Sequence, residues 1–277
     1  MSSSYWRNCL FAVLLGVAGL GIALSSRYRS DAIWPVWASL AVSLCSAAGL
    51  VGGYGLDAWR SVSHGQQIPL RNTAVPTALL GIGVLLVLSV GELSAARPGS
   101  GWRGDLLVAI ACLGGGLAGA TMFGIRHTAN LPLPQGTFEQ REQAVVALVS
   151  LRRLLQRLTT ALGSLVALST LALGASVLMT KNPAKELVVV FGAGGSILVG
   201  AFYVPAAAAL RGRGERLSAA IFVSAAPTTT TELVERLEQR SKLEQLMGVD
   251  RTAYAELSTA LPVLSPLIAS AAIFLPK

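Results

Sequence analysis

LVVVFGAGGSILVGAFYVPAAAAL, residues 187–210, runs for 24 residues without an Asp, Glu, Lys, Arg or His. As an α-helix rising ~1.5 Å per residue it reaches about 36 Å, enough to cross a hydrocarbon core of ~30 Å. One ionisable side chain at mid-bilayer costs about 2.5–3.5 kcal/mol on the insertion scale. A run this long and this clean reads as a transmembrane helix.

Five further stretches read the same way: about 8–25, 33–56, 74–92, 105–125 and 159–180. The first resembles a signal peptide in its short basic lead-in. It has no convincing small-x-small cleavage site and spans follow at once, so it is expected to be retained. The second carries Trp34 and Trp37 at one end and Tyr54 at the other, as interfacial aromatics do. The third has Pro76 near its start, and the fourth is weakened by Gly114, Gly115, Gly116 and Gly119.

Composition agrees. The chain is 53% hydrophobic and only 13% charged, about half the charge of an ordinary soluble domain. The expected fold is therefore all-α: a polytopic transmembrane bundle of six spans over 1–211, with an inner helical loop at 126–158 and a cytoplasmic helical tail over 212–277.

Basic residues set the orientation. With the N-terminus inside, the inner segments carry Arg7, Arg60, Arg71, Arg126, Arg141, Arg152, Arg153, Arg157, Arg211, Arg213 and Arg216. The outer loops carry Arg27, Arg29, Arg97, Arg103, Lys181 and Lys185. Both ends are then cytoplasmic and the protein sits in the plasma membrane. Arg outnumbering Lys, with abundant Ala and Gly, points to a GC-rich bacterial genome. The net charge of +8 comes without an RNA-binding signature, a zinc-finger spacing or a basic helix with interleaved aromatics. Nucleic acid is not expected as a partner.

Two inner segments are long. In FEQREQAVVALVSLRRLLQRL (138–158), Val145, Leu148, Val149, Leu155 and Leu158 recur at helical spacing, predicting an amphipathic helix that runs into the fifth span. In the tail, Thr229 with Glu232 forms a capping box and Gly248 supplies a helix stop. Asp250 is placed to cap a further helix over 251–257. Leu237, Leu243 and Met247 make an apolar stripe suited to a protein partner. The final stretch, LSTALPVLSPLIASAAIFLPK (257–277), is broken by Pro262 and Pro266. It is expected to dock against the bundle, with a seventh broken or re-entrant span as the alternative.

Catalytic chemistry is hard to assemble from this sequence. His64 and His127 both fall at inner span ends with no third metal ligand at useful spacing. Ser43, Ser89, Ser164 and Ser196 have no intramembrane base, and no Gly-x-Ser-x-Gly elbow exists. Cys9, Cys45 and Cys112 form no metal motif and no expected disulfide. Neither metal nor cofactor is expected. Glu92 and Glu186 lie at span edges, which disfavours proton-coupled transport.

Glycine is the other signal. Gly49/Gly53 and Gly115/Gly119 are GxxxG pairs, Ser196/Gly200 is a small-xxx-small pair, and Gly192, Gly194, Gly195 and Pro205 mark the sixth span. They suit close helix packing, or a pathway in which the sixth span unwinds. Arg152, Arg153, Arg157, Arg211, Arg213 and Arg216 suit anionic lipid headgroups or a phosphorylated ligand on the inner side. The function expected from all this is non-enzymatic: an oligomeric assembly, pore-type or partner-binding subunit acting through its cytoplasmic helices. A small-solute transporter without intramembrane charge is the alternative, and a membrane enzyme comes third.

Overall fold

The computed structural model describes residues 3–27, 29–63, 74, 77–78, 81–82, 101–133, 138–179, 185–222, 230–248 and 261–271. Among them it is all-helical, with seven helices and no strand. In chain order these are α1 (Ser3–Leu24), α2 (Trp34–Ser63), α3 (Trp102–Asn130), α4 (Phe138–Leu178), α5 (Lys185–Phe222), α6 (Thr230–Met247) and α7 (Leu261–Ala271).

Five of the helices, α1 to α5, are long and apolar enough to cross a membrane. Six spans were expected. The third, 74–92, lies largely outside the described residues, as do Thr229, Asp250 and the 251–257 segment. The inner helix and the fifth span are one element, because nothing between Phe138 and Leu178 breaks the helix. Likewise α5 continues past residue 210 to Phe222, without interruption at Gly192–Gly195 or Pro205. At ~1.5 Å per residue both helices overrun an apolar layer ~30 Å deep.

The faces of the bundle are inverted relative to a water-soluble protein. Leu10, Val13, Leu14 and Val17 of α1 are all more than half exposed, as are Leu113 of α3 and Val190, Ile197 and Val204 of α5. An apolar surface so continuous suits lipid and not water. The polar side chains buried in the same layer are hydroxyls. Thr159, Ser169 and Thr170 return their protons to Leu155, Leu165 and Val166 carbonyls at 2.9, 3.0 and 2.9 Å, which removes the cost of a free donor there.

Contacts give the directions. α1 and α2 are antiparallel: Gly19 meets Ala41 and Cys45, while Gly49 meets Phe11 and Ala12. α2 and α3 run parallel, since Gly52 meets Gly114, Gly55 meets Leu117 and Ala118, and Gly124 meets Trp59 and Val62. α3 and α5 are parallel too: Gly119 lies under the Phe202 ring, and Phe123 meets that ring edge-on, centroids 5.5 Å apart. α4 returns antiparallel between them, with Leu162 and Leu165 over Gly115. The bundle therefore has two ends. One holds Ser25 and the starts of α2, α3 and α5. The other, the tail end, holds Asn8, Ser63, Asn130 and the overhangs of α4 and α5, where α6 packs.

Candidate functional site: an arginine-capped junction at the tail end

The last four carbonyls of an α-helix have no partner within it, and the helix C-terminus carries partial negative charge that favours a cation. At the tail end, three helices finish close together, and each finish is met by an arginine from another helix. Arg213 and Arg216 of α5 donate to the carbonyls of Thr128 and Ala129 in the last turn of α3, the second at 3.1 Å. Arg141 of α4 donates to Ala220 near the end of α5 at 2.8 Å. Arg152 of α4 donates to Met247, the final residue of α6, at 2.6 Å. The opposite end repeats the device once: Arg103 of α3 reaches the Ser25 carbonyl, just past α1, at 2.6 Å.

α6 is held from both sides. Met247 is fully buried, and Leu243 packs partly buried against the same core. Gly248 ends the helix in the left-handed region, φ 66°, and the missing side chain leaves room for the Arg152 guanidinium, which sits where a Cβ would stand. A glycine is thus required there twice over. Farther along, Glu244 accepts from Ser218 of α5 and from Arg240 of its own helix, both at 2.8 Å. The bonds from Arg240 and then Ser218 hold its carboxyl below the usual range. Arg213 is pushed down by burial and secondarily by the neighbouring Arg216 charge.

The arginines named from sequence thus divide. Arg152, Arg213 and Arg216 serve as caps, Arg211 pairs with Glu215 at 3.3 Å, and Arg153 and Arg157 are exposed. Sequence reasoning missed the roles of Arg103, Arg141, Ser218 and Glu244. It also missed Asp57, which pairs with Arg7 and accepts from Asn8 at 2.9 Å at the same end of α1 and α2. Gly53 leaves space for that Asn8 side chain. No local signal points to these pairings, whose partners on other helices lie 26 to 79 residues apart in the chain.

The remaining glycines are placed as follows. Gly49 faces α1, Gly115 faces α4, and Gly119 faces α5. Gly192 and Gly200 face α7, Gly195 faces Val166 of α4 with Pro266 of α7 farther off, and Gly194 opens outward with nothing within 4 Å. Ser196 is buried, and its hydroxyl has no hydrogen-bond partner among the described residues. The named glycines that face anything thus face helices of this same chain.

Among the described residues, no three His, Cys, Asp or Glu side chains gather as metal ligands would. His127 sits in the last turn of α3, while His64 lies outside the described residues. The junction holds helices together. No family model, curated protein or solved structure matches this chain. Its chemistry therefore has to be argued from its own surfaces.

The most distinctive of these is the outer side of α6. Val234, Leu237 and Leu246 are more than half exposed there. With Glu238, Ser241, Lys242 and Gln245 the first two line a shallow groove. Of the stripe read from sequence, Met247 and Leu243 turn inward and Leu237 outward. The helix has one committed face and one open face.

Proposed function

We propose that the protein is a non-enzymatic integral membrane subunit, six-spanning, whose cytoplasmic helix α6 is its assembly surface. The observation that carries this reading is the two-faced character of α6. Arg152 and Ser218 tie one side of it to the overhangs of α4 and α5. The other side keeps Val234 and Leu237 exposed around a charged groove. Apolar side chains held in water on a rigid helix are what a partner surface requires. The caps then make α6 a mechanical extension of α3, α4 and α5, so that an event on α6 is felt in the bundle.

The six-span count is supported by the parallel course of α2 and α3. Ser63 lies at the tail end and Trp102 at the other, and the described residue Thr77 comes up to Gly116, midway along α3. A further crossing between them accounts for both. The inner placement of α6 follows from the basic-residue count.

The test is a double replacement on the open face, Val234→Asp with Leu237→Asp, leaving Leu243 and Met247 in place. The expected result is a fall in particle mass from several copies to one in lipid nanodiscs, or at least a tenfold weaker self-association. An unchanged mass across the dilution range overturns the assembly reading.

A further inference from the structure

α7 has only 11 residues, about 16 Å of helix, half the depth of a bilayer core. Its neighbours nevertheless all lie within the apolar runs of α4 and α5. The Pro262 carbonyl sits where Gly163 of α4 would carry a Cβ, Val263 lies against Gly200 of α5, and Pro266 and Ser270 lie against Gly192. The order gives a direction. Pro262 meets α4 only a few residues inside its apolar run from the tail end, and Ser270 meets α5 only a few residues from its start at the opposite end. α7 therefore points from the tail end toward the Ser25 end, antiparallel to α5.

Its backbone is also equipped for a medium without water. Pro266 has no N–H, so the Pro262 carbonyl loses its ordinary partner. The Ser265 hydroxyl donates to that carbonyl at 2.8 Å, and Ser270 does the same for Leu267 at 2.7 Å. In lipid such freed groups must be satisfied internally, and Ser or Thr side chains do it. The side of α7 away from the bundle presents Leu264, Leu267 and Ile268, an apolar surface like the outward faces of α1 and α5. The sequence beyond Ala271 is AIFLPK, apolar until Lys277.

We infer that α7 is a membrane-embedded segment seated in a cradle of three glycines, Gly163, Gly192 and Gly200, entering from the tail end and leading toward the opposite face. The inference predicts that a label at position 277 is reached from the side of the membrane opposite to α6. This inference depends on the helices crossing a membrane and is independent of whether α6 assembles copies.

Single cysteines test it in a chain freed of Cys9, Cys45 and Cys112. Lys277→Cys, Ser241→Cys on α6 and Arg27→Cys just past α1 are labelled with an impermeant maleimide in sealed and then in opened vesicles. The expected result is that positions 277 and 27 label from one side and position 241 from the other, with at least a tenfold difference in rate on opening. Position 277 labelling together with 241 overturns the proposal. So does labelling of 27 and 241 from the same side, since the bundle would then not span. A side-preference found in full for Arg27→Cys and Ser241→Cys calibrates the assay independently of α7.

Discussion

The apolar layer and the tail end join helices by opposite means. Within the layer, helices approach by having no side chain at the contact. Gly114 lies on the backbone of Ala48, Gly55 on that of Ala118, and Gly163 on the Pro262 carbonyl. At the tail end, long arginines cross the gaps and finish on carbonyls. The difference follows from the solvent. Lipid tails are as apolar as leucine, so burial between helices gains nothing and only close backbone packing remains. Near water, burial and charge-assisted bonds to orphan carbonyls both contribute, the latter about 1.5–3 kcal/mol each. Glycine contacts should tolerate no enlargement, whereas arginine contacts should fail by degrees.

The sharpest break is Gly114→Leu. Its first added atom would lie 2.9 Å from the Ala48 Cα and closer still to that residue's carbonyl oxygen, and backbone cannot rotate aside. Overpacking of this kind costs ~1–3 kcal/mol where side chains can adjust, and more is expected where they cannot. Most of the monodisperse protein should be lost in detergent. Gly194→Leu, where nothing lies within 4 Å, is the matched control and should be recovered at the parent level. Equal recovery of the two would show that the glycine contacts do not hold the bundle.

Next comes Arg152→Ala. Losing the bond to Met247 should raise amide exchange in α6 by about 10- to 100-fold, the equivalent of ~1.5–3 kcal/mol. Exchange in α4 between 159 and 178 should stay unchanged. If both regions loosen together, Arg152 supports the bundle as a whole and the tail is not a separable unit.

Which of these contacts could be read in advance is itself a matter of range. Apolar runs announce α1, α2, α3 and the buried parts of α4 and α5, because a ~20-residue requirement is local and one-dimensional. The end of α6 at Gly248 was legible for the same reason: a left-handed stop needs one residue type. The caps were not. That Arg213 meets Thr128, and Arg141 meets Ala220, depends on which helix ends the fold brings together, and every arginine near the inner ends looked equally suited to lipid. Nothing in the spacing of the glycines names a partner helix. Gly192 and Gly195 gave no sign that their neighbour would be the proline-broken final segment, 66 or more residues later. Proline there suggested a break, and the serine that repairs it, Ser265, is unremarkable as a letter.

A smaller effect separates the two α5 arginines that cap α3. Arg213 is half-buried and Arg216 more open, and the Arg216 charge works against Arg213. Arg213→Ala should therefore lower the thermal midpoint measurably, since it removes the more buried of the two guanidiniums and leaves the Thr128 carbonyl without that donor. Arg216→Ala should lower it less, because the loss of one bond at 3.1 Å is offset by the relief of like-charge repulsion. Arg213→Lys should recover only part of the loss, as an ammonium cannot reproduce the fixed fork of the guanidinium. Equal effects from the two alanine variants would mean the pair acts as a diffuse positive patch, which would return both residues to a lipid-facing role.

The least effect expected is that of pH on Glu244. Its carboxyl is held below the usual range by Arg240 and Ser218. A group whose folded-state value is depressed contributes stability that is fully present above the unfolded value, about 4.3 for Glu, and is lost as pH falls through the folded value. Docking of α6 should thus be insensitive between pH 8 and pH 5 and loosen only at more acidic pH, read as rising protease cleavage within 230–247. Glu244→Gln keeps an acceptor for Ser218 but carries no titrating charge, so its docking should be weaker at pH 7 and flat on acidification. Because Glu244 is partly open to water, the difference should be far below that of Arg152→Ala. A titration that survives in Glu244→Gln would place the acid-sensitive group elsewhere on the junction, and the ranking of the two ties on α6, cap above ion pair, would have to be reversed.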